Sequence, residues 1–272
     1  MPELPEVETI ARQLNEVLVG QRIVGVEVRV KKSFMGDERM VVGKKILGVR
    51  RRAKMAIIEI SDDRSQISDY LLIHLKMTGQ LVYDGENSPN KHTRVVFRLS
   101  KGRLFFNDQR LFGWIKLVSK QQLEKELKNY GPDIIDRAVT EEYFHKILQK
   151  LGRAVKLVIT DQAKVAGGGN IYANDGLWCA GIDPRRQANK INEEESNKLL
   201  VCLREVINAG VKYGGATASD DSYVNASGLG GKYQEHFLVY EREGKKCHRC
   251  KSIIQKTRLG GRGTYYCPEC QR

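Results

Sequence analysis

Six short β-rich segments between residues 21 and 118 constrain the fold of this chain more than any other feature. They are separated by stretches rich in Gly, Asp, Asn and Ser, and they read IVGVEVRV, AIIEI, YLLIHL, RVVFRL, RLFFN and GWIKLV. Short strands at such regular spacing predict a β-sandwich or a barrel. Apolar residues recur at helical spacing from Val7 to Leu18, which predicts a helix before the first strand.

The pattern changes to helical periodicity beyond about residue 120. The helical segments are QQLEKELKNY, TEEYFHKILQKL and NEEESNKLLVCLREVINAGV, and Asn192 is placed to cap the last of them. Gly131-Pro132 marks a linker between the two patterns. We therefore predict an α+β protein with two domains and a small C-terminal module, divided as 1–120, a linker at 121–135, a helical domain at 136–240 and the module at 241–272.

Four of the six cysteines form two C-x2-C pairs in the C-terminal module, separated by sixteen residues. This is the spacing of a tetrahedral zinc site in which each pair lies on a tight knuckle. The predicted ligands of one structural zinc ion are Cys247, Cys250, Cys267 and Cys270. Cys179 and Cys202 lie far upstream, and we expect no disulfide framework in a cytosolic chain of this length.

The chain carries a net charge of +13, with an isoelectric point of about 9.4. A surface this basic attracts polyanions, although a merely solvated basic surface is the alternative. The cations concentrate in two clusters, at 44–54 and 245–262, which suggests two contacts with one duplex. There is no apolar run long enough for a membrane span and no apolar segment of a signal peptide, so we expect a cytoplasmic, nucleoid-associated protein without a membrane partner.

The N-terminal sequence MPELPEVETI is only partly explained by a helix start. Proline is tolerated in the first turn of a helix, and acids there suit the helix dipole, which accounts for Pro5, Glu6 and Glu8. Pro2 and Glu3 precede that turn and need another reason.

Five motifs, in order along the whole chain, resemble those of the formamidopyrimidine-DNA glycosylase family. Taken singly, each has an ordinary structural explanation as a helix start, a strand end or a turn. The motifs are MPELPEVET, His74-x-x-Met77-Thr78-Gly79, Asp108-x-Arg110-x-Phe112-Gly113, VAGGGNIYA from Val165, and C-x2-C…GRGT…C-P-x-C at the C-terminus. The related endonuclease VIII has Gly at position 4, so Leu4, together with Met77, Arg110 and Phe112, favours the formamidopyrimidine branch.

The resemblance implies an N-terminal antiparallel β-sandwich, a helical domain with a helix–two-turns–helix, and a β-hairpin zinc ribbon. It also implies a bifunctional DNA glycosylase and abasic-site lyase of base excision repair. Such an enzyme excises oxidised purines (8-oxoguanine and formamidopyrimidines) from double-stranded DNA, needs no redox cofactor and acts as a monomer.

The resemblance assigns catalytic roles to Pro2, Glu3, Lys54 and Arg262. After removal of Met1, the secondary amine of Pro2 would form a Schiff base with the sugar, which permits β,δ-elimination. Glu3 would give a proton to the opening deoxyribose ring, a general-acid task for which it must hold its proton at working pH. Lys54 and Arg262 would contact phosphates near the lesion.

The resemblance also implies a set of DNA contacts. His74, Asn170 and Lys156 match DNA-contacting positions, while Met77, Arg110 and Phe112 match residues that fill the gap left by the everted nucleotide. The donor-only guanidinium of Arg110 would face an orphan cytosine.

The segment 214–233 resembles the loop that closes over the damaged base, but it departs from the usual pattern. Asp220 and Asp221 replace the expected positive charge, and the loop residues we single out are Ser219, Asp220, Asp221 and Tyr223. Recognition can rest instead on backbone amides of this Gly-rich loop, or the preference can tilt towards formamidopyrimidines over 8-oxoguanine.

Three other functions stay open at this stage. The chain could be an endonuclease VIII-like glycosylase for oxidised pyrimidines, which a panel of lesions would distinguish. It could be a non-catalytic protein that binds lesions or abasic DNA, which would have no need of a processed Pro2 amine. A zinc-ribbon RNA-binding or transcription factor is the weakest alternative, because it leaves the N-terminal motif unexplained.

Overall fold

The computed structural model describes residues 1–62, 68–84, 88–217 and 223–272. These residues form two compact units, the first made of Met1–Asn129 with Tyr213–Lys232 and the second of Tyr130–Lys212 with Tyr233–Arg272. The fold is α+β, as predicted. In this part of the chain, no helix is both long enough and apolar enough to cross a membrane.

Unit 1 is a β-sandwich with a helix at each end of its first 129 residues. Helix α1 spans Leu4–Leu18 and helix α2 spans Lys120–Leu127. The strands between them are β1 (Ile23–Val28), β2 (Phe34–Met35), β3 (Lys45–Arg52), β4 (Met55–Ser61), β5 (Ser68–His74), β6 (Gly79–Asp84), β7 (Thr93–Leu99), β8 (Arg103–Asp108) and β9 (Trp114–Ser119). Short 3-10 helices lie at Lys31–Ser33 and Glu38–Val41.

The strands of unit 1 form two sheets, with the orders β1-β7-β8-β6 and β2-β9-β5-β4-β3. Neighbouring strands are antiparallel, as predicted, except for the two-residue strand β2, which pairs in parallel with β9. The apolar stripe of α1 packs into the core between the sheets, where Val7, Ile10 and Leu14 are fully buried. Each such side chain contributes roughly 1.5–3 kcal/mol of transfer free energy.

The segment 213–232 belongs to unit 1, although the sequence analysis placed it in the helical domain. Tyr223 and Ala226 join the core of the sandwich, and the backbone N–H of Tyr83 donates to the carbonyl of Ala226 at 2.8 Å. This return of the chain depends on contacts that are remote in sequence, which a Gly-rich pattern does not reveal.

Unit 2 combines four α-helices with a β-hairpin. The helices are α3 (Glu141–Gln149), α4 (Val155–Ile159), α5 (Asn170–Ala180) and α6 (Glu193–Lys212); the hairpin strands are β10 (Gln255–Leu259) and β11 (Arg262–Tyr266), and 3-10 helices lie at Ala188–Lys190 and Tyr233–His236. The predicted cap of α6 is confirmed, because the Oδ1 atom of Asn192 accepts from the backbone N–H of Glu195 at 2.9 Å.

A disulfide joins Cys179 of α5 to Cys202 of α6, whose Cα atoms are 5.7 Å apart. No disulfide framework was predicted from the sequence, and for this pair that prediction was wrong. The packing of α5 against α6 brings together two thiols that are 23 residues apart in sequence.

Candidate catalytic site, DNA contacts and zinc centre

The N-terminal turn buries the two residues that a helix start did not explain. Glu3 occupies the N-cap position of α1 with an extended backbone, and only 2% of its surface is exposed. Pro2 is buried beside it. The Oε2 atom of Glu6 accepts from the backbone N–H of Glu3 at 2.8 Å, as in a capping box. The carboxylate of Glu3 is therefore fixed at the start of a rigid helix, immediately after Pro2.

Glu6 is a site residue that the sequence analysis missed. Its carboxylate is 1% exposed, and its Oε1 atom accepts from the backbone N–H of Ala216 at 2.8 Å. One carboxylate thus joins the N-terminal turn to the base of the segment that resembles the lesion loop. The sequence did contain a signal for this role. Glu3 and Glu6 have the spacing of a capping box, whereas the sequence analysis explained Glu6 only by the helix dipole.

Tyr223 lies near the middle of the same segment, and its side chain is only 2% exposed. Its hydroxyl donates to the carbonyl oxygen of Gly214 at 2.9 Å, and burial, followed by the charge of Glu6, raises its pKa far above the usual range. The structure therefore makes Tyr223 an anchor of the loop rather than a contact for a damaged base. The predicted loop residues Ser219, Asp220 and Asp221 lie outside the described residues.

Lys54 and His74 lie side by side in unit 1. Lys54 is the second residue of the two-residue turn between β3 and β4, and Met55 at the start of β4 pairs with His74 at the end of β5. Both side chains are largely buried, at 7% and 9% exposure. The two predicted phosphate contacts of the sandwich are thus brought to one end of the β4–β5 pair.

The imidazole of His74 is held neutral. Burial, followed by the charges of Lys76 and Lys54, lowers its pKa to about 3. Its Nδ1 atom accepts from the backbone N–H of Lys76 at 3.0 Å, so the ring proton resides on Nε2. His74 can therefore donate a hydrogen bond from Nε2 to an anion such as a phosphate oxygen.

The predicted gap-filling residues lie on two loops joined by Asp108. The fully buried carboxylate of Asp108 accepts from the hydroxyl of Thr78 at 2.5 Å and from the backbone N–H of Gly113 at 2.7 Å. Its Oδ1 atom also accepts from the backbone N–H of Arg110 at 3.2 Å. Asp108 was quoted only as part of a motif, yet it fixes both loops relative to each other.

Phe112 and Arg110 project from the second of these loops. Phe112 is 54% exposed, an unusual position for a large aromatic side chain, and the guanidinium carbon of Arg110 lies 5.0 Å from the centre of its ring. Met77, on the first loop, is half-buried. A Cβ atom at Gly113 would lie only 2.9 Å from the ring of Phe106 and 3.1 Å from the carbonyl oxygen of Leu75, so a glycine there lets the loop pack closely against both. This loop therefore exposes the apolar ring of Phe112 with the cation of Arg110 beside it.

In unit 2 the Gly-rich segment forms a turn before α5. Gly167 has a φ of +94°, and Asn170 is the first residue of the helix. The side-chain amide of Gln162 accepts from the backbone N–H of Gly167 at 3.0 Å and donates to the carbonyl of Gly168 at 2.7 Å. The sequence analysis gave Gln162 no weight, but it holds the turn that places Asn170 at the positive end of α5.

Lys156 does not have the exposure that a DNA contact requires, contrary to the prediction. It is 2% exposed, and its Nζ atom donates to the carbonyl of Gly263 at 2.9 Å and to the hydroxyl of Thr264 at 2.7 Å. These bonds hold the β10–β11 hairpin, where Arg262 follows the tip Gly260-Gly261 and is exposed. Lys156 thus supports Arg262, and the sequence could not reveal this because the two residues are remote along the chain.

The four predicted zinc ligands lie together beyond this hairpin. Their sulfur atoms all lie within 4.8 Å of one another, with 3.9 Å between Cys247 and Cys270 and 3.4 Å between Cys250 and Cys267. A tetrahedral zinc ion with Zn–S bonds of about 2.3 Å separates its sulfurs by about 3.8 Å, so the cluster fits the ion.

The proton chemistry of the cluster also calls for a cation. Hydrogen bonds from Ser252 lower the pKa of Cys250 to about 6, whereas burial and the neighbouring sulfurs raise that of Cys270 to about 12. Four thiolates can form here only when a metal ion compensates their charge. The indole N–H of Trp178 donates to the sulfur of Cys247 at 3.3 Å, so α5 supports the ligand set from outside. The cluster holds one structural zinc ion.

Comparisons with known families match three consecutive parts of the chain. A family model of the formamidopyrimidine-DNA glycosylase N-terminal domain matches residues 1–115, and the H2TH domain of the same enzyme matches residues 130–222. A zinc finger found in FPG and IleRS matches residues 244–272.

Curated relatives and solved structures cover the chain from end to end. The chain is 40% identical to formamidopyrimidine-DNA glycosylase of Pelotomaculum thermopropionicum, with alignment over 100% of this chain and 99% of the relative. The crystal structure of MutM (Fpg) from Thermus thermophilus superposes with a TM-score of 0.89 at 36% identity, covering 99% and 98% of the two chains. A Lactococcus lactis Fpg mutant in complex with Fapy-dG-containing DNA superposes with a TM-score of 0.91 at 34% identity over the full length of both. The chain therefore belongs to the formamidopyrimidine-DNA glycosylase family.

Proposed function

We propose that this protein excises oxidised purines from double-stranded DNA and cuts the strand at the resulting abasic site, as part of base excision repair. The family supports the glycosylase and lyase activities. The observation that carries the mechanism is the buried N-terminal turn, in which Glu3 caps α1 directly after Pro2. No other role for Pro2 and Glu3 accounts for both residue types at these positions.

The chemistry begins when Met1 has been removed and Pro2 presents its secondary amine. A terminal amine has a reference pKa of about 8, against about 10.4 for lysine, so more of it is unprotonated at neutral pH. The amine attacks C1′ and the C1′–N bond to the damaged base breaks; the base leaves with the electron pair, and the proton that the amine loses neutralises it. Glu3 then protonates the ring oxygen as the C1′–O bond opens. The product is an iminium, a protein–DNA Schiff base.

The iminium then acts as an electron sink for strand cleavage. Loss of a proton from C2′ expels the 3′-phosphate, and a second elimination expels the 5′-phosphate. Hydrolysis of the remaining imine returns the Pro2 amine. Displacement, elimination and hydrolysis move protons and electron pairs without an external oxidant or reductant, so the reaction needs no redox cofactor.

Four hydrogen-bond donors, two of them cationic, would position the duplex without reading its sequence. We assign phosphate contacts to Lys54 and His74 of unit 1 and to Asn170 and Arg262 of unit 2. Contacts of this kind fix register and orientation. The zinc ion serves the same purpose indirectly, because it holds the module that carries Arg262.

We assign the space of the everted nucleotide to Met77, Arg110 and Phe112. Eversion costs a few kcal/mol of unstacking and unpairing, and an inserted ring and guanidinium offset part of that cost. The fork of Arg110 donates to the acceptor edge of cytosine, so lesions opposite C are the preferred substrates. Replacing Arg110 with Ala should reduce the discrimination between C and A opposite the lesion.

The proposed organisation is a catalytic sandwich, a linker, a helical domain and a zinc ribbon, in a monomer. The return of residues 213–232 to unit 1 adds the lesion loop to the catalytic sandwich. Because chromosomal DNA is the substrate, we place the protein in the cytoplasm, associated with the nucleoid.

Borohydride trapping tests the proposal. The protein is incubated with duplexes that contain 8-oxoguanine opposite C, an abasic site or thymine glycol, and the mixture is reduced. We expect a covalent adduct that maps to Pro2 and fades in Pro2→Gly, with the oxidised purine trapped better than thymine glycol. Preferential trapping of thymine glycol would establish the endonuclease VIII-like alternative, and binding without an adduct on any duplex would establish the non-catalytic one.

A further inference from the structure

The turn that carries Lys54 is not determined by its own sequence. Arg52 pairs with Met55, so Ala53 and Lys54 form the two-residue connection between β3 and β4. Ala53 has a φ of +54°, a left-handed conformation that a Cβ atom disfavours and that such turns usually assign to Gly, Asn or Asp. Contacts with the surroundings must therefore help to hold this turn.

Arg51 contacts the turn with one atom and helix α1 with another. Its side chain is only 6% exposed, and its Nη1 atom donates to the carbonyl oxygen of Ala53 at 2.8 Å. Its Nε atom donates to the Oε2 atom of Glu8 at 2.8 Å. One planar guanidinium thus joins the turn to helix α1, a geometry that the point charge of a lysine does not reproduce.

Glu8 belongs to the same helix as the catalytic turn. It follows Glu3 by five residues, or about 7.5 Å along the helix axis. Although burial alone would raise the pKa of Glu8, the guanidiniums of Arg51 and Arg12 lower it, so the carboxylate is ionised at neutral pH. The helix, the carboxylate and the guanidinium form a continuous connection from the N-terminal turn to the carbonyl that precedes Lys54.

We propose that Arg51 and Glu8 are positioning residues that fix the ammonium of Lys54 relative to the N-terminal amine. The inference rests on the proposed function, which gives Lys54 a phosphate contact next to the reacting sugar. A displacement of about 1 Å in a positioning group can slow a reaction a hundredfold, so the connection matters for rate as well as for folding.

Arg12 offers a matched control within the same ion network. Its Nε atom donates to the Oε1 atom of Glu8 at 2.7 Å, but its side chain is 65% exposed. Arg12→Met therefore removes one cation and one bond from the same carboxylate. It leaves the bond between Arg51 and Ala53 in place.

The test is a double-mutant cycle on single-turnover cleavage of a duplex that contains an abasic site. The proteins are the wild type, Arg51→Met, Lys54→Ala, the double variant and Arg12→Met, all assayed well below their Tm. Arg51→Lys and Glu8→Gln are measured as well, and either replaces Arg51→Met in the cycle if that variant does not fold. Borohydride trapping of the wild type on the same duplex monitors the proposed function separately.

We expect Arg51→Met to slow cleavage by about tenfold or more and to have less than about a twofold effect when Lys54 is already Ala. Compared with Arg51→Met, Arg51→Lys should restore the free energy of unfolding more than the cleavage rate. Arg12→Met should keep the wild-type cleavage rate. An equal loss of cleavage rate with Lys54 present and with Lys54→Ala, or no loss in either case, would overturn the inference. Trapping of the wild type at Pro2 would in that case still support the proposed function. Absence of wild-type trapping would instead overturn the proposed function and the inference with it.

Discussion

The carboxylate of Glu6 accepts a hydrogen bond from the backbone N–H of Ala216 at 2.8 Å, although the two residues are 210 positions apart. The other oxygen of the same carboxylate accepts from the backbone of Glu3. The start of the loop segment and the N-terminal turn therefore share one buried carboxylate. A change at Glu6 should affect both.

Glu6→Gln should lower both stability and activity. A glutamine offers one acceptor oxygen and one N–H2 group, so one of the two backbone donors at 216 and 3 loses its partner. A buried unsatisfied donor costs about 1–3 kcal/mol. Urea unfolding should show this loss, and single-turnover excision of 8-oxoguanine should slow. Glu16→Gln, at an exposed position of the same helix, serves as the control, and equal behaviour of the two variants would contradict the prediction.

The neutral state of His74 predicts a specific dependence of stability on pH. Its pKa is about 3 in the folded protein, against about 6.5 in an unfolded chain. Between these values the unfolded state binds a proton that the folded state does not, so the contribution of His74 to stability falls as the pH decreases from about 6.5 towards 3. The slope from this one group approaches 1.4 kcal/mol per pH unit.

The measurement is urea unfolding of the wild type and His74→Gln at several pH values between about 7 and 4. Over this range the free energy of unfolding of the glutamine variant should fall less steeply than that of the wild type. The difference in slope should be that of one titrating group. His236→Gln, at an exposed position, should follow the wild type. Parallel curves for His74→Gln and the wild type would show that His74 is protonated in the folded protein.

The sequence predicted local features well and distant contacts poorly. The zinc cysteines, the α1 stripe and the cap at Asn192 are encoded within a few residues, and all were confirmed. Strands β2, β3 and β6 were not among the six predicted segments. Strand β2 has only two residues, which carry no periodicity. The residues of β3 were interpreted only as part of a basic cluster, and only Gly79 of β6 was noted, as the end of a motif.

Two site residues make contacts that the sequence did not predict, for one physical reason. The roles of Lys156 and Tyr223 depend on partners that are far away in the chain, Gly263 for the first and the sandwich core for the second. A lysine in a basic protein is expected on the surface, and only the fold shows that this one is buried. Family resemblance identified both positions as important, but their contacts define what they do.

Gln162 should govern affinity for DNA rather than the chemical step. Gln162→Glu keeps an acceptor for the backbone of Gly167 but places a charge against the carbonyl of Gly168, so the turn before Asn170 should distort. Fluorescence anisotropy should show weaker binding to undamaged and abasic duplexes by a similar factor, because phosphate contacts do not read the lesion.

Gln149→Glu is the control for this prediction, because Gln149 also donates from its side chain to a backbone carbonyl, that of Ile191, away from the Gly-rich turn. It should leave both affinities near the wild-type values. A loss of affinity confined to the abasic duplex in Gln162→Glu would show that the turn acts at the lesion itself.

Removal of zinc should release the C-terminal module and abolish DNA cleavage. The indole of Trp178 reports on this step, because it donates to the sulfur of Cys247 and stacks at 4.4 Å under the guanidinium of Arg249. The chain has two tryptophans, so Trp114→Phe leaves Trp178 as the sole indole signal. In that variant, a chelator should shift the emission towards that of a solvated indole as cleavage is lost, and added Zn²⁺ should restore both. If cleavage persisted after the emission had changed and the metal had been removed, the zinc module would be dispensable for the reaction.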